Sequence, residues 1–239
     1  MMGVADGDGQ RVGGIRRRLD AVDALVTYPG VRGAARESLG RVPDLERIAA
    51  AITPRTKVMS VSHLLSSTGL RMPIASLCAA ARAHDVISVV DGAQAVGGIA
   101  VDVKALGCDA YATSGHKWLL APCGQGVFYV RKEHQDKLRP IALGWNNVRC
   151  PNYVAQDELA YHSGARRFEA GTPPIGPAIG LGAACHWMGG LDWSGAHDHE
   201  MALVQRVMDG LQQIDGARLF GPASLQNRYP VVSFTLDGV

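Results

Sequence analysis

The sequence predicts an α/β fold with a mostly parallel sheet. Three strand-like segments, KVMSVSH (57–63), VISVVD (86–91) and DAYATS (109–114), alternate with segments of helical periodicity. This strand–helix–strand order is typical of βαβ units, whose strands pair in parallel. The 86–91 segment is apolar over most of its length, which indicates a strand covered on both faces.

The first helix follows a weakly patterned N-terminal segment, residues 1–43. Within it, only 21–30 suggests a strand, which would end in a turn at a Pro-Gly pair. A helix is predicted next. Asp44 is its candidate N-cap, and it runs to Ile52 and ends before Pro54. We therefore expect a large domain to begin at residue 44.

Two further helices are predicted between the strands of this domain. Pro73 begins a helix whose apolar residues recur on one face, through His84. A shorter helix covers Val103–Leu106 and ends at Gly107. The segment GVFYVR (126–131) predicts one more strand of the same sheet.

The alternation of predicted strands and helices ends after residue 131. Residues 139–172 are rich in Gly, Pro and Asn and are expected to form loops. Helices are predicted over 175–188 and 197–214, followed by the short strands RLF and VVSFTL. We expect residues 44–189 to form the large domain and residues 190–239 to form the start of a smaller α+β domain.

The composition excludes a disordered chain and gives no drive toward a polyanionic partner. Of the 239 residues, 47% are hydrophobic and 19% are charged, which is typical of a globular protein. The formal net charge is only +2, and no apolar run reaches the roughly 18–20 residues that a membrane span needs. Neither nucleic acid nor a membrane is therefore an expected partner.

The cysteines indicate a reducing compartment. There are 5 of them, widely spaced and without a C-x-x-C pair, which favours free thiols over a disulfide framework. The N-terminus, MMGVADGDGQ, is polar and rich in glycine and does not resemble a signal peptide. A cytoplasmic location is expected.

The residues with the strongest chemical character follow the predicted strands. Asp91 ends one strand, and Lys117 follows the next one, 26 residues later. In a parallel sheet both lie at the carboxyl edge, where ligands of open α/β sheets bind. A lysine facing a carboxylate across a cleft suits pyridoxal phosphate (PLP), which needs a Schiff-base amine and an acid at its ring nitrogen. Ser62 and His63 follow a third strand at the same edge.

The stretch VVDGAQAVGGIAVDVKALGCDAYATSGHKWLLAPCGQGVFYV resembles the class V aminotransferases of fold type I, in particular the branch of cysteine desulfurases and isopenicillin N epimerase-like proteins. The similarity runs from about residue 44 to the end and is most specific in D-G-A-Q and S-G-H-K. It implies a fold type I large domain with PLP as cofactor. Lys117 would form the internal aldimine, Asp91 would pair with the pyridine nitrogen, Gln94 would bond the ring hydroxyl, and Ala93 would pack on one ring face.

The resemblance also implies a set of phosphate contacts. Ser114 and His116 match phosphate ligands. Gly171 and Thr172, in FEAGTPP, match a segment that reaches the phosphate of the neighbouring subunit, which implies a homodimer. Ser66 stands where relatives often carry an asparagine near the ring.

Two functions from different classes follow from these residues. The first is a PLP-dependent enzyme acting on a small amino acid, as a desulfurase or lyase, an epimerase or an aminotransferase. The second is a catalytically incomplete or inactive fragment that keeps the fold and the dimer surface. The second reading rests on the expectation that the chain is truncated at both ends. In relatives a phosphate turn, a ring-stacking histidine and a carboxylate-binding arginine complete the site, and no counterparts are recognised here.

A metal site is not expected. His197 and His199, in HDHE, are the best candidate pair of ligands, but they lie on different faces of the predicted helix. A solvated helix explains this segment better.

Overall fold

The computed structural model describes residues 45–149 and 160–238, all within a unit that spans residues 42–239. The predicted strand at 21–30, the N-cap at Asp44 and the rest of 1–43 lie outside the described residues. No helix in the described ranges is long and apolar enough to cross a bilayer.

The predicted α/β sheet is confirmed. It has four strands in chain order, β1 Val58–Ser62, β2 Ile87–Asp91, β3 Ala110–Ser114 and β4 Gly126–Val130. β1 pairs with β2 and β2 with β3 in parallel, whereas β3 and β4 are antiparallel. The pairing agrees with the segments that connect the strands. Each pair of parallel strands is joined by a crossover segment that contains a helix, whereas the antiparallel pair needs only a loop.

Three helices precede or connect the parallel strands: α1 Leu45–Ala50, α2 Ile74–Ala83 and α3 Val103–Leu106. α2 buries the face predicted from its periodicity, which consists of Ile74, Leu77, Cys78 and Ala81. α3 begins at Asp102, whose carboxylate accepts hydrogen bonds from the first turn, and it ends at Gly107 in the left-handed conformation.

The core lies between α2 and the sheet. β2 contributes Val90, which is fully buried, and α2 packs directly against this strand. The remaining buried members of this cluster are Leu70, Met72, Ile74, Leu77, Cys78, Cys108 and Tyr111. Burial of these side chains stabilises the sheet by about 1.5–3 kcal/mol for each large aliphatic residue.

Helices joined by loops, and then two short strands, follow β4 in the described residues. It contains α4 Lys132–Gln135, a 3₁₀ helix at Gly164–Phe168, α5 Ile175–Met188, α6 Trp193–Gln212, β5 Ala217–Phe220, a 3₁₀ helix at Leu225–Asn227 and β6 Ser233–Leu236. α6 begins four residues before the predicted start at His197, because the Asp192 carboxylate caps its first turn by accepting from the Gly195 N–H.

β5 and β6 form a separate antiparallel sheet that packs against α6. The predicted boundary between a large domain at 44–189 and a small domain at 190–239 stays a prediction. The segment after β5 also contacts the loop between β1 and α2, since the Tyr229 N–H donates to the Gly69 carbonyl at 2.7 Å.

Gly98 has a close contact with Tyr229 that predicts a large effect on stability. A Cβ at position 98 would lie 1.6 Å from the Tyr229 hydroxyl oxygen, and Tyr229 is only 2% exposed. Gly98→Ala should therefore lower the free energy of unfolding by about 1–3 kcal/mol in urea denaturation.

Gly210→Ala is the matched control for this change. Gly210 lies in α6 with open space around its Cα, so alanine should raise the free energy of unfolding by roughly 0.5–1 kcal/mol. Equal effects of the two substitutions would contradict the close packing of Gly98 on Tyr229.

Candidate active site

The carboxyl ends of the three parallel strands meet at one edge of the sheet. The strand register pairs Ser62 with Asp91, and Asp91 with Ala112. The Ser62 hydroxyl donates to the Asp91 carboxylate at 3.4 Å. The sequence places Ser62 at the carboxyl edge but does not reveal this contact, because a partner across the sheet depends on the strand register.

Asp91 is exposed and oriented by the loop that follows it. The Ala93 N–H donates to its Oδ1 at 2.9 Å. The same loop is anchored to β3, because the Gly92 N–H donates to the Ala112 carbonyl at 2.7 Å. These two contacts hold the first turn of the loop, so Asp91 presents its carboxylate at the edge of the sheet.

The loop that carries Asp91 is joined to the loop that carries Lys117. The indole N–H of Trp118 donates to the side-chain oxygen of Gln94 at 2.9 Å. Trp118 was not among the predicted site residues, since an apolar aromatic residue after a lysine suggests core packing. Its contact with Gln94 shows that the two segments, far apart in sequence, lie side by side.

Lys117 lies in a tight series of turns after β3. The Gly115 N–H donates to the Gln125 carbonyl at 2.8 Å, and the Ala121 N–H returns to the Gly115 carbonyl at 2.9 Å. Leu120 closes the turn in the left-handed region, with φ of 58°. Lys117 itself is half-buried, whereas His116 is exposed.

Ser114 provides a test of whether this edge fits a phosphorylated cofactor. Its hydroxyl oxygen is buried and has no hydrogen-bond partner among the described residues. A buried hydroxyl without a partner is costly, and a phosphate oxygen is a strong acceptor that would satisfy it. An acid at Asp91, a half-buried amine at Lys117 and a donor at Ser114 together fit PLP.

Three predicted residues make no described contact with this group. Ser66, Gly171 and Thr172 are exposed, and no contact among the described residues joins any of them to Asp91 or Lys117. The role of Gly171 and Thr172 toward another subunit stays a prediction. Ser66 lies in a turn in which the Gly69 N–H donates to the Leu65 carbonyl at 2.8 Å.

A buried histidine lies behind the site. His63 is 2% exposed, and its Nδ1 lies 2.9 Å from the Tyr111 hydroxyl. Burial, together with the positive charge of Arg71, lowers the pKa of His63 to about 4. Burial also raises the pKa of Tyr111, so both side chains are neutral at physiological pH. The sequence suggested only that His63 ends its strand.

Comparison with known families identifies the family to which this fold belongs. A family model described as "Aminotransferase class-V" matches residues 35–239. The chain belongs to the class V aminotransferase family. This assignment confirms the predicted fold type I architecture and the resemblance found in the sequence, and it makes PLP the expected cofactor, because members of the family are PLP-dependent enzymes.

The most similar proteins include cysteine desulfurases. A "Probable cysteine desulfurase 2" of Mycobacterium leprae (strain TN) is 37% identical over 185 residues, which is 77% of this chain and 43% of that protein. The apo structure of a cysteine desulfurase from Thermococcus onnurineus NA1 is similar with a TM-score of 0.76 and 34% identity, covering 82% of this chain and 48% of that one.

A third structure contains the cofactor. A mutant of C-DES, with glycine covalently linked to its PLP cofactor, matches with a TM-score of 0.71 and 29% identity, over 84% of this chain and 53% of that one. The chain thus spans about half the length of the curated relatives it matches.

The lowered pKa of His63 predicts how stability depends on pH. The unfolded chain takes up a proton at this histidine near pH 6.5, but the folded chain does so only near pH 4. Protonation therefore favours the unfolded state, and stability is lost as the pH falls from 6.5 to 4. The loss reaches about 3 kcal/mol at pH 4. Urea denaturation at several pH values should show this decline.

Two histidine variants separate this effect from other titrating groups. His63→Gln removes the titration and should flatten the decline between pH 6.5 and 4. His84→Gln changes an exposed histidine and should leave the decline intact. An unchanged pH profile in His63→Gln would contradict the neutral buried state of His63.

Proposed function

We propose that this chain forms the PLP-binding part of an enzyme that acts on an amino acid. The observation that carries the proposal is the hydrogen bond between Trp118 and Gln94, which joins the loop after Asp91 to the loop that contains Lys117. Three chemical groups thereby lie at one edge of the sheet, an acid, an amide and an amine. Membership of the class V aminotransferase family supports the same cofactor.

The roles follow from the chemistry of each group. PLP, when bound, withdraws electrons from the α-carbon of the amino acid, so that a bond to this carbon can break. Asp91 would hold a proton on the ring nitrogen, and the Ala93 N–H fixes the orientation of its carboxylate. Lys117 would hold the cofactor through Nζ and then carry a proton to or from the α-carbon of the substrate.

The phosphate contacts come from the turn that precedes Lys117. The Ser114 hydroxyl is buried, has no partner in the described part of the chain, and would donate to a phosphate oxygen. His116 is exposed in the same turn and would add a second donor. Ala93 would pack against the ring, and Ser66 would approach it from the turn at 65–69.

Cysteine is the proposed substrate, because the relatives that cover most of this chain are named cysteine desulfurases. Two of the described thiols are poor acceptors for the sulfur. Cys78 and Cys108 are buried, and burial raises the pKa of both, to about 11 for Cys108. Buried protonated thiols are inert as nucleophiles. These free thiols also support a cytoplasmic location.

Labelling of Lys117 tests the proposal. When the 239-residue chain is incubated with PLP and reduced with borohydride, peptide mapping should find the pyridoxyl group on Lys117. Lys117→Ala should abolish the label and the visible absorbance of bound cofactor. Lys104→Ala, which changes an exposed lysine of α3, should keep both. A label that persists in Lys117→Ala would overturn the assignment.

Asp91→Asn keeps the shape of the side chain and removes its charge. Loss of the partner of the ring nitrogen should lower turnover of a competent enzyme about 10²–10³-fold, because such electrostatic partners act most strongly on the transition state. A steady-state assay of sulfide release from L-cysteine measures the effect in a preparation that turns over L-cysteine when Asp91 is in place. Equal, non-zero turnover of the variant and its parent would exclude this role of Asp91.

We further propose a homodimer in which Gly171 and Thr172 contact the phosphate of the partner subunit. Lys117→Ala and Thr172→Ala chains, co-expressed and isolated as mixed dimers, should then contain one intact site. That site should bind PLP as tightly as the parent protein, and the other site should not. If Thr172 acts within its own chain, every site carries a lesion and the tight fraction is missing.

A further inference from the structure

One hydrogen bond fixes the orientation of the Gln94 side-chain amide. The indole N–H of Trp118 donates to Oε1 of Gln94 at 2.9 Å. An indole nitrogen can only donate, so its partner must be the carbonyl oxygen of the amide and not the NH₂ group. Nε2 of Gln94 has no acceptor within the described ranges, which leaves it available as a donor.

Trp118 is itself held in place by buried neighbours. Its ring lies edge-on to Tyr229, with centroids 4.9 Å apart and planes at 81°. This is a favourable geometry for two aromatic rings. Tyr229 is fully packed, with Leu64 and Ala95 in the same cluster. The backbone of the cofactor loop also approaches closely, because a Cβ at Gly97 would lie 2.4 Å from the Leu119 nitrogen.

A freely rotating glutamine amide could present either its oxygen or its NH₂ group to a ligand, since the two ends are similar in size. The phenolic oxygen of PLP is an acceptor when it is ionised, so only the NH₂ end forms a favourable contact. An amide fixed in the correct orientation loses less entropy on binding than a free one does.

We propose that Trp118 is a positioning residue for the cofactor, acting through Gln94. It keeps the amide oxygen occupied and so directs the Gln94 NH₂ group toward the oxygen-bearing edge of the PLP ring. The inference rests on the proposed function, because it assigns to Gln94 the contact with this ring oxygen. Tyr229 contributes by holding the Trp118 ring in place.

Trp118→Phe tests the inference because phenylalanine keeps an aromatic ring against Tyr229 and removes the N–H. The affinity for PLP, measured by titration of the visible absorbance of the 239-residue chain, should fall about 2- to 10-fold, the range expected for one lost hydrogen bond. The pH at which the visible band of the bound cofactor titrates should rise, since the Gln94 NH₂ group is no longer held toward the ionised ring oxygen and stabilises it less.

A double-mutant cycle separates positioning from packing. Gln94→Leu removes the amide, and Trp118→Phe should then have no further effect on PLP affinity or on the titration of the band. Equal effects of Trp118→Phe with Gln94 and with leucine at this position would overturn the inference. Trp193→Phe is the matched control, because it removes an indole hydrogen bond of 3.0 Å to the Met188 carbonyl and should leave both cofactor properties unchanged.

A measurement without cofactor distinguishes failure of the inference from failure of the proposed function. In ¹H–¹⁵N spectra of the PLP-free chain, Gln94→Leu should shift the Trp118 indole resonance and speed its exchange with water, whereas the Trp193 resonance should stay in place. An unmoved Trp118 resonance would refute the positioning role even if PLP binds. A parent chain that binds no PLP but shows the shift would refute the proposed function and leave the hydrogen bond between Trp118 and Gln94 established.

Discussion

The parallel pairing of β1, β2 and β3 is the constraint on which the rest of the structure depends. It places the carboxyl ends of all three strands at the same edge, so residues separated by an entire strand–helix unit become neighbours. Asp91 and Lys117 are 26 residues apart in the chain and belong to adjacent loops for this reason. The opposite end of the same strands is held by Asp109, whose carboxylate accepts from both the N–H and the hydroxyl of Ser88 at 2.8 Å.

Glycine at three positions allows the loop after β2 to lie close to its surroundings. A Cβ at Gly92 would overlap the Tyr111 ring, and Cβ atoms at Gly97 and Gly98 would overlap the Trp118 loop and Tyr229. The loop is therefore in close contact with aromatic side chains and backbone at these three positions. Such rigid support suits a site whose acid and amide must keep their orientation when a ligand binds.

The polar groups at this edge differ in how completely they are satisfied. Asp91 accepts from Ala93 and Ser62, and Gln94 accepts from Trp118, whereas the buried Ser114 hydroxyl has no partner among the residues that the structure describes. Asp91 and Gln94 are thus oriented before any ligand binds, while Ser114 holds a donor that a phosphate oxygen would satisfy.

The sequence by itself determined the strands and the main helices, and it predicted an acid and a lysine at the carboxyl edge of the sheet. These follow from local periodicity, from the helix end at Gly107 and from the two short motifs around Asp91 and Lys117. The earlier start of α6 depended on Asp192 acting as a cap, which a local pattern of apolar residues does not reveal.

Only the tertiary structure decided the contacts between segments far apart in the chain. Trp118 and Tyr229 are residue types that usually pack in a core. The contact of Trp118 with Tyr229 depends on how the segment after β5 packs against the earlier loops, and its contact with Gln94 depends on how two loops lie together. His63 likewise acquires its low pKa only through burial beside Tyr111 and the charge of Arg71. Hydrogen bonds and desolvation depend on distances across the fold, and sequence periodicity carries information only along the chain.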